Sequence, residues 1–592
     1  MQLQMPNTGN YMPEPENNNN SMVVNHSDEN WYPFKQGKFS YLEDNLQNSL
    51  KQFMEKNMIY QDSYLNIKTD NDEVYNSLKL EIRNNLIKFF ESKKKDFVGK
   101  ICKEYNSKII SIDKNSISNI TKSKMFQDIY MNKIRNVKNS IMNIEKKIGE
   151  IKHLSIIIGG RSGVGKSTLI KEAAKSFDGI VINHLCVAST FEGNLELIYQ
   201  SVSRALSLPY IRFDSLFTLM DYLKTLDKKI LLIIDEYPYL KQSQKKNEVD
   251  SYMQTVIDRL PENVKLILCG SYITIMKELL AEDNPLFGRF SLIQHIHDFD
   301  YYEASQFYPS LSVRDKVAFY GVFGGCPYVL ENLDTNQLLK TNIIRMLLPE
   351  TGLIRSHIEN IMLREIQKSF DARILETLGN GKKKYTEIRS MTGTTETGLL
   401  DKQLKILLDM ETIQKTEPIN RRNDKKKQFY EITDNLMRFY FSFIFGKAGT
   451  IARIGEEQYF NRNIDSVLEQ FVSRRLEGIT LQYFHRMALL SKYPDIEDFG
   501  SYWYDDPETK TNGEFDCVIK RTGELYDFYE CKYFDRRMTL EECEQERDQV
   551  KRMRGIEVAN VGFVCTGGFA FEDEGGFVLV DGKNLYQDVS ED

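Results

Sequence analysis

The residue pattern with the most specific chemistry is a glycine-rich stretch, Gly160-Arg161-Ser162-Gly163-Val164-Gly165-Lys166-Ser167. Glycines permit the backbone dihedrals that turn successive N–H groups inward, where they bind phosphate oxygens. We expect Lys166 to reach the β- and γ-phosphates of ATP and the Ser167 hydroxyl to hold Mg²⁺. Thr168 would extend these contacts into the following helix. A glycine-rich turn without a function is the alternative, but an apolar run precedes the stretch and a helical pattern follows it.

Two acidic residues follow a second apolar run, 230–234, and would complete this site. Asp235 is expected to bind Mg²⁺ through water, as an acidic residue in this place does in P-loop nucleotide-binding proteins. Glu236 would lie near the γ-phosphate, where it is the candidate to position or deprotonate the attacking water. The alternative is that the two carboxylates only solvate the end of a strand.

A third apolar run, 266–269, leads to Ser271. Folds with a phosphate-binding loop place a polar residue here, beside the attacking water. Ser271 is therefore a candidate for sensing the γ-phosphate. A serine that only caps its strand is the alternative.

A separate group of carboxylates and a lysine occurs near the end of the sequence. Asp516 falls in one predicted strand, and Glu530 and Lys532 fall in the next. Side chains two residues apart on a strand share a face, so Glu530 and Lys532 should project together beside Asp516. Two carboxylates can hold Mg²⁺, and a nearby lysine can activate water against a phosphodiester. Glu469, on the preceding predicted helix, would add a third carboxylate. An ion-pair network on a hairpin is the alternative.

Alternating strand and helix patterns must position the glycine-rich stretch. Continuous apolar runs at 154–158, 179–182, 230–234 and 264–268 are separated by helical stretches. Such runs predict strands that are buried on both faces, and hence a parallel sheet covered by helices. The sequence therefore predicts an α/β fold.

These motifs, in their order and spacing, resemble those of archaeal-type prokaryotic P-loop ATPases related to the AAA and STAND groups. The resemblance rests on residues 160–167, 234–240, 268–271, 284–290 and 323–330. It implies ATP hydrolysis, a nucleotide contact by Arg289 within the chain or in trans, and a C-terminal domain of uncharacterised function. The layout around Asp516 resembles the PD-(D/E)xK nuclease fold. The aromatic box that the family places near adenine has no close counterpart, because Phe97-Val98-Gly99-Lys100 lies too far upstream.

Composition and pattern divide the chain into six segments. We assign a disordered, Asn-rich tail to 1–35, a helical extension to 36–150, the P-loop ATPase core to 151–300, a helical lid to 301–365, a winged helix to 366–445 and a restriction-endonuclease-like α/β domain to 455–592.

The predicted winged helix consists of three short helices and a two-stranded wing. The tip of the wing, 420–427, carries five basic residues and one acidic residue. Such a tip could contact DNA phosphates with an affinity that falls steeply with salt. The alternatives are a solvated hairpin and, because winged helices also join proteins or domains, a module for intramolecular coupling.

Bulk composition narrows the class of protein. A chain of 592 residues is too long to fold around a single hydrophobic core, so we expect several domains. Its net charge of −7 argues against a protein that coats nucleic acid with its whole surface. A secretory signal pattern and apolar runs of membrane-spanning length are absent from the sequence, and its eight cysteines are scattered without a CxxC pair. We therefore expect a cytoplasmic chain with no membrane partner. His295 and His297 would share a strand face, but without an apparent third ligand we expect them to pack rather than to bind a metal.

Three functions remain open on the residues alone. The first is Mg²⁺-dependent ATP hydrolysis coupled to a lid and a winged helix. The second is a switch in which bound nucleotide sets the conformation with little turnover. The third is an ATP-controlled effector whose C-terminal domain cuts DNA or RNA. The oligomeric state and the role of the N-terminal extension do not follow from the pattern.

Overall fold

The computed structural model describes residues 129, 134–150, 154–241, 248–361, 371–396, 398–493, 495–506, 511–551, 556–572 and 575–589. They lie in one compact unit, Phe126–Asp592. The predicted tail, most of the predicted helical extension and the segment 97–100 lie outside the described residues.

Helix α1 (Arg135–Glu150) is the part of the predicted extension that the structure describes. Its apolar residues Val137, Ile144 and Ile148 are buried, and the side-chain amide of Gln294 in the last strand of the sheet donates to the Ser140 hydroxyl at 3.2 Å. Helix α1 thus packs against the core of the parallel sheet. Helix α1, which precedes the boundary assigned at residue 151, is therefore packed together with the sheet that follows it.

Strands and helices alternate after α1. They are β1 (Leu154–Gly159), α2 (Lys166–Ala173), β2 (Ile180–Leu185), α3 (Phe191–Ala205), α4 (Leu216–Lys224), β3 (Ile230–Asp235), α5 (Tyr237–Lys241), α6 (Glu248–Asp258), β4 (Val264–Gly270), α7 (Ile273–Glu278) and β5 (Leu292–His295).

The five strands form one sheet in the order β2-β3-β4-β1-β5, and every neighbouring pair is parallel. Strands β1, β3 and β4 are buried along their whole length because apolar side chains on both faces meet a helical layer. Ile156 packs into the core on one face, and Ile157 packs into the core on the other. The prediction of a parallel sheet covered on both faces is confirmed.

A helical region follows the sheet and leads into a hairpin. Its elements are α8 (Tyr301–Ser305), α9 (Val313–Phe323), α10 (Pro327–Asn332), α11 (Leu339–Met346), α12 (Leu353–Ile361), α13 (Arg373–Gly379), α14 (Tyr385–Thr392), α15 (Leu399–Asp409), β6 (Ile413–Thr416) and β7 (Phe429–Ile432). Strands β6 and β7 pair antiparallel, with Ile413 opposite Ile432.

The C-terminal region begins with helices and continues as a second sheet. Its elements are α16 (Asn435–Phe443), α17 (Ala448–Ile454), α18 (Glu456–Asn463), α19 (Asp465–Leu489), β8 (Ile496–Asp506), β9 (Thr511–Arg521), β10 (Leu525–Lys532), α20 (Leu540–Lys551), β11 (Glu557–Cys565), β12 (Val578–Asp581) and α21 (Gly582–Tyr586).

The second sheet is mixed, in the order β12-β11-β10-β9-β8. Strand β9 is antiparallel to β8 and β10, whereas β10, β11 and β12 are parallel. A single apolar core links this region to the first sheet, because Phe323 of α9, Phe439 of α16 and Phe484 of α19 are all fully buried in it. The regions therefore meet through packed side chains.

Candidate functional site

The glycine-rich segment 160–167, here called the phosphate loop, leaves β1 and enters α2. Gly163 and Gly165 both have φ +90°, a conformation that L side chains rarely adopt. Gly165 precedes the first residue of α2, so the amide groups at the start of that helix face the loop. This backbone shape is the one that binds phosphate groups in other proteins.

The Lys166 side chain is buried and crosses the phosphate loop. Its ammonium group donates to the carbonyl oxygen of Gly160 at 2.7 Å and to that of Arg161 at 2.8 Å. Both partners are neutral. The positive charge of Lys166 therefore lies inside the loop, next to the place where an anion would bind.

A hydroxyl group and a carboxylate meet beside the phosphate loop. The Ser167 hydroxyl donates to Asp235 Oδ2 at 2.6 Å, and Asp235 Oδ1 accepts from the amide of Glu236 at 2.9 Å. Asp235 is buried and Ser167 is exposed. Oxygen ligands of this kind are the ones that Mg²⁺ prefers.

Glu236 has a strained backbone and a fixed side chain. Its φ is +54°, in the left-handed region that is uncommon outside glycine. The Ser271 hydroxyl donates to Glu236 Oε1 at 2.5 Å, and the Ser271 amide approaches Oε2 at 3.3 Å. The adjacent strands β3 and β4 thus bring these two predicted site residues into direct contact.

The helical region also contacts the phosphate loop. The amide of Tyr328 donates to the carbonyl oxygen of Gly163 at 3.1 Å. A Cβ atom added to Gly163 would lie 3.0 Å from Cys326 Sγ and 3.0 Å from the His357 ring. His357 was not identified from the sequence, because α12 carries no motif that points to the loop. Burial lowers the pKa of the His357 imidazole, so the ring is neutral near pH 7.

The Arg161 side chain turns away from the loop interior. Its guanidinium donates to the carbonyl oxygen of Glu411 at 2.7 Å and lies 3.8 Å from Asp434. Arg161 therefore connects the phosphate loop to the residues that flank the β6–β7 hairpin. Its backbone remains part of the loop.

Arg289 is not brought to the phosphate loop of its own chain. Its guanidinium pairs with Asp258 at 3.0 Å, and its carbonyl oxygen accepts from the Ser155 hydroxyl near the start of β1. Ser155 lies four residues before Gly159, roughly 13 Å along the strand. Arg289 is thus engaged at the opposite end of β1 from the phosphate loop, and its nucleotide contact, within the chain or in trans, stays a prediction.

Three of the four residues predicted near the C-terminus, Asp516, Glu530 and Lys532, lie close together, and a different glutamate of α19 lies near them in place of Glu469. The Lys532 ammonium donates to Glu530 at 2.9 Å and to Glu546 of α20 at 2.7 Å. Lys382, from the loop before α14, lies 3.3 Å from Asp516 and 2.8 Å from Glu514. Neither Lys382 nor Glu546 belongs to a motif that is visible in the sequence.

Glu477, not Glu469, is the α19 carboxylate that lies near Asp516 and Glu530. Glu469 is exposed and pairs with Arg314. Burial, and then the negative charge of Asp516, raise the pKa of Glu477 to about 8. Partial burial is also the main cause of the raised pKa of Asp516 and of Glu530. We call Glu477, Asp516, Glu530 and Lys532 the C-terminal cluster.

The basic hairpin tip packs against β8. Arg422 pairs with Asp498 at 2.6 Å, and the Lys427 ammonium lies over the Trp503 ring. The Asn420 side chain donates to the Trp503 carbonyl oxygen at 2.8 Å and accepts from its amide at 3.0 Å. Much of the basic charge that the sequence analysis offered to DNA therefore has a partner within the chain.

Two protein families match parts of this chain. Residues 135–333 match the family described as an ATPase domain predominantly from Archaea, and 440–547 match one described as archaeal and bacterial proteins of unknown function. The first match includes α1, in agreement with its packing on the sheet. Together they confirm the resemblance to archaeal-type P-loop ATPases, which for the ATPase domain extends over residues 135–333.

The chain is also similar to individual archaeal proteins. An uncharacterised protein of Methanocaldococcus jannaschii is 26% identical over 358 residues, which cover 59% of this chain and 77% of that protein. The Walker-type ATPase of Pyrococcus abyssi aligns with a TM-score of 0.40 and 18% identity, over 53% of this chain and 97% of that one. The ORC2 protein of Aeropyrum pernix, in complexes with ADPNP and ADP, aligns with a TM-score of 0.36 and 10% identity, over 59% and 98%.

Among the helices of the described residues, none combines the length and the apolar character needed to cross a lipid bilayer.

Proposed function

We propose that this protein hydrolyses ATP at the phosphate loop with the help of Mg²⁺. The carrying observation is that the Ser167 hydroxyl and Asp235 lie 2.6 Å apart while Ser271 holds Glu236 on the adjacent strand. In this proposal the loop amides and Lys166 bind the phosphates, and Ser167 and Asp235 hold the ion. The ion, when bound, neutralises negative charge on the phosphate oxygens.

Glu236 is the proposed residue that prepares water for attack. A carboxylate can accept a proton from water or fix its orientation, and either role requires a defined position. The hydrogen bond from Ser271 supplies that position. The strained φ of +54° at Glu236 is also consistent with a residue held for function.

The remaining predicted roles follow from the loop backbone. Residues 160–165 would enclose the phosphates with their amides, and Thr168, which is exposed at the start of α2, would complete the nucleotide contacts. Contacts from Tyr328 and His357 to Gly163 would let the helical region respond to nucleotide.

The experiment is a titration of full-length protein with ATP and Mg²⁺, followed by a steady-state assay of phosphate release. We expect saturable binding that Lys166→Ala abolishes, and hydrolysis that Glu236→Gln removes while binding remains. The matched control is Lys175→Ala, an exposed lysine after α2. Binding that is equal in wild type and Lys166→Ala would contradict the proposal.

A slow nucleotide switch is the competing function for the same site. Single-turnover kinetics separates it from an ATPase. Rapid conversion of bound ATP to released ADP supports the ATPase, whereas tightly retained ADP with no further turnover supports the switch.

A second candidate function is metal-dependent cleavage of a nucleic-acid phosphodiester by the C-terminal cluster. The observation that favours it is the convergence of Glu477, Asp516 and Glu530, whose pKa values are raised mainly by burial. A cavity of about 780 Å³ beside the cluster is lined by both Glu477 and Asp516 and by the basic residues Lys382, Lys383, Lys415, Arg422, Arg438, Arg474 and Arg475. A cleft with this charge fits a nucleic-acid backbone.

The test compares wild type, Asp516→Ala and Glu469→Ala on plasmid and single-stranded DNA, with Mg²⁺ or Mn²⁺ and with or without ATP. Cleavage that Asp516→Ala removes and Glu469→Ala retains would support the assignment, because Glu469 lies outside the cluster. Equal cleavage by wild type and Asp516→Ala, or none by either, would contradict it.

A further inference from the structure

Two histidines and a glutamate meet at the junction between the first sheet and the β6–β7 hairpin. His295 is the last residue of β5, and His297 follows two residues later. Glu411 lies in the turn between α15 and β6. One ligand atom from each of the three side chains lies within 4.8 Å of the others. The chain segments that supply them are more than a hundred residues apart, so the group is a product of the fold.

The side-chain geometry leaves donor atoms directed at one another. His295 Nε2 lies 3.4 Å from Glu411 Oε2, and the centroids of the two imidazole rings are 4.3 Å apart. The Lys277 ammonium occupies the other carboxylate oxygen of Glu411 at 2.8 Å. Lys277 therefore neutralises part of the Glu411 charge through Oε1, and Oε2 is the oxygen that faces the histidines.

The backbone on both sides of this group is held in place. The amide of Ile296, between the histidines, donates to the carbonyl oxygen of Gly159 at 2.8 Å. The Glu411 carbonyl oxygen accepts from Arg161 at 2.7 Å and from the Thr433 hydroxyl at 2.6 Å. The main chain that carries these side chains is therefore fixed by its neighbours, and their ligand atoms already lie within 4.8 Å of one another.

The donor set selects a class of metal. Two imidazole nitrogens and one carboxylate oxygen suit Zn²⁺ and similar first-row transition ions, whereas Mg²⁺ and Ca²⁺ prefer oxygen ligands alone. In tetrahedral zinc sites with three protein ligands, water or another small ligand takes the fourth position. His297 is exposed and the other two side chains are half-buried, so an ion and its water have a path from solvent.

We propose that His295, His297 and Glu411 bind a Zn²⁺-class ion with one position open to water. The ion would join the edge strand of the ATPase sheet to the turn that begins the hairpin. Arg161 of the phosphate loop contacts the carbonyl oxygen of Glu411. The ion would therefore be connected to the phosphate loop through Glu411 and Arg161, and it would make the contact between the loop and the hairpin more rigid. This inference does not depend on ATP hydrolysis or on the C-terminal cluster.

The test is metal binding by the full-length protein after chelation and dialysis. Zn²⁺ affinity is measured by competition with a chromophoric chelator, with excess Mg²⁺ present to occupy oxygen-rich sites. Co²⁺ absorption in the visible region then reports nitrogen ligation and a low coordination number. We expect one equivalent of Zn²⁺ and an intense Co²⁺ spectrum.

Variants assign the site. His297→Ala and Glu411→Ala should each weaken Zn²⁺ binding by more than about 100-fold, beyond the 10- to 100-fold that loss of an outer partner costs. His485→Ala, which removes an exposed histidine of α19, is the matched control and should bind as wild type does. Circular dichroism establishes that each variant is folded.

Lys277→Met provides a test that does not remove a ligand. Because the Lys277 ammonium competes with a cation for the charge of Glu411, its loss should tighten Zn²⁺ binding several-fold. Absence of saturable Zn²⁺ binding, or equal affinity in wild type and His297→Ala, would overturn the proposal. In that case His295 and Glu411 form only a side-chain contact.

Discussion

At the scale of single residues, the phosphate end of the first sheet depends on pairs rather than on isolated groups. Ser167 is bonded to Asp235, and Ser271 is bonded to Glu236. Each serine comes from a different chain segment than its acidic partner. A carboxylate that is already fixed by a hydrogen bond loses little rotamer freedom when it positions the attacking water in the transition state. Loss of the serine should therefore lower the rate of turnover more than it weakens nucleotide binding.

Ser271→Ala should lower kcat for ATP hydrolysis by about 10- to 100-fold, a part of the 10²–10⁴ that a positioned general base supplies. KM for ATP should change little, since the hydroxyl contacts Glu236 and not the phosphate loop. Steady-state kinetics measures both constants. Ser201→Ala, which removes a buried serine of α3 that is bonded to His184 of β2, should leave kcat unchanged. Wild-type kcat in Ser271→Ala would show that this serine only caps its strand.

Glu477→Gln should reduce the pH dependence of the free energy of unfolding of the C-terminal region. Burial raises the pKa of Glu477 from 4.5 to about 8, so the folded state binds a proton more tightly than the unfolded state. Its contribution is therefore complete below pH 4.5 and is lost as the pH rises to about 8. Trp503 in β8 reports this region, and Trp31→Phe removes the chain's other tryptophan.

The measurement is the urea midpoint of the Trp503 signal between pH 5 and pH 9, with chelator present. The wild-type midpoint should fall more steeply with pH than that of Glu477→Gln. Identical slopes would place Glu477 in solvent and remove it from the C-terminal cluster.

Residues near a recognisable motif were predictable, and residues delivered by tertiary packing were not. Lys166, Ser167, Asp235, Glu236 and Ser271 follow strands whose apolar runs are plain in the sequence, so their meeting at one sheet edge followed from the fold class. Glu411, Lys382 and His357 come from turns and helices without a motif. Their positions depend on how the helical region packs.

At the scale of elements, helix α19 shows why the sequence pattern does not separate Glu469 from Glu477. Glu469 and Glu477 lie on the same 25-residue helix, about 12 Å apart along its axis. The helix contacts other elements on several sides, so its apolar residues do not mark one buried face. Periodicity alone therefore cannot select the glutamate that faces β9.

The hairpin tip acts as a docking element for β8. The amide of Ile419 donates to the Ser501 carbonyl oxygen at 2.7 Å, and the Asn420 side chain bonds both main-chain groups of Trp503. These contacts favour the alternative in which the predicted winged helix couples parts of the chain. The exposed Lys425 and Lys426 remain available to other partners.

Asn420→Ala should destabilise the C-terminal sheet by about 1–3 kcal/mol, because it leaves the Trp503 amide and carbonyl without their partner. The same Trp503 unfolding signal measures the loss. The control is Lys425→Ala, because Lys425 is an exposed residue of the same hairpin tip. This change should alter the free energy of unfolding by less than about 0.5 kcal/mol. Equal stability of Asn420→Ala and wild type would mean that the tip does not hold β8.

At the scale of the whole molecule, the nucleotide site and the C-terminal cluster are connected through the hairpin region. Arg161 links the phosphate loop to Glu411, Asn420 links the hairpin to β8, and Lys382 reaches Asp516. These contacts form a continuous route by which a rearrangement of the phosphate loop could reach the C-terminal cluster. Coupling along this route requires two states of the hairpin region, which nucleotide would favour differently.

Hydrolysis of ATP in a single turnover tests the central claim most directly. Excess wild-type protein, mixed with limiting radiolabelled ATP and Mg²⁺, should convert it to ADP, while Glu236→Gln should bind the same ATP and leave it intact. Filter binding and product separation on one sample give both quantities. Wild-type protein that binds no ATP, or Glu236→Gln that hydrolyses it at the wild-type rate, would contradict the proposed site.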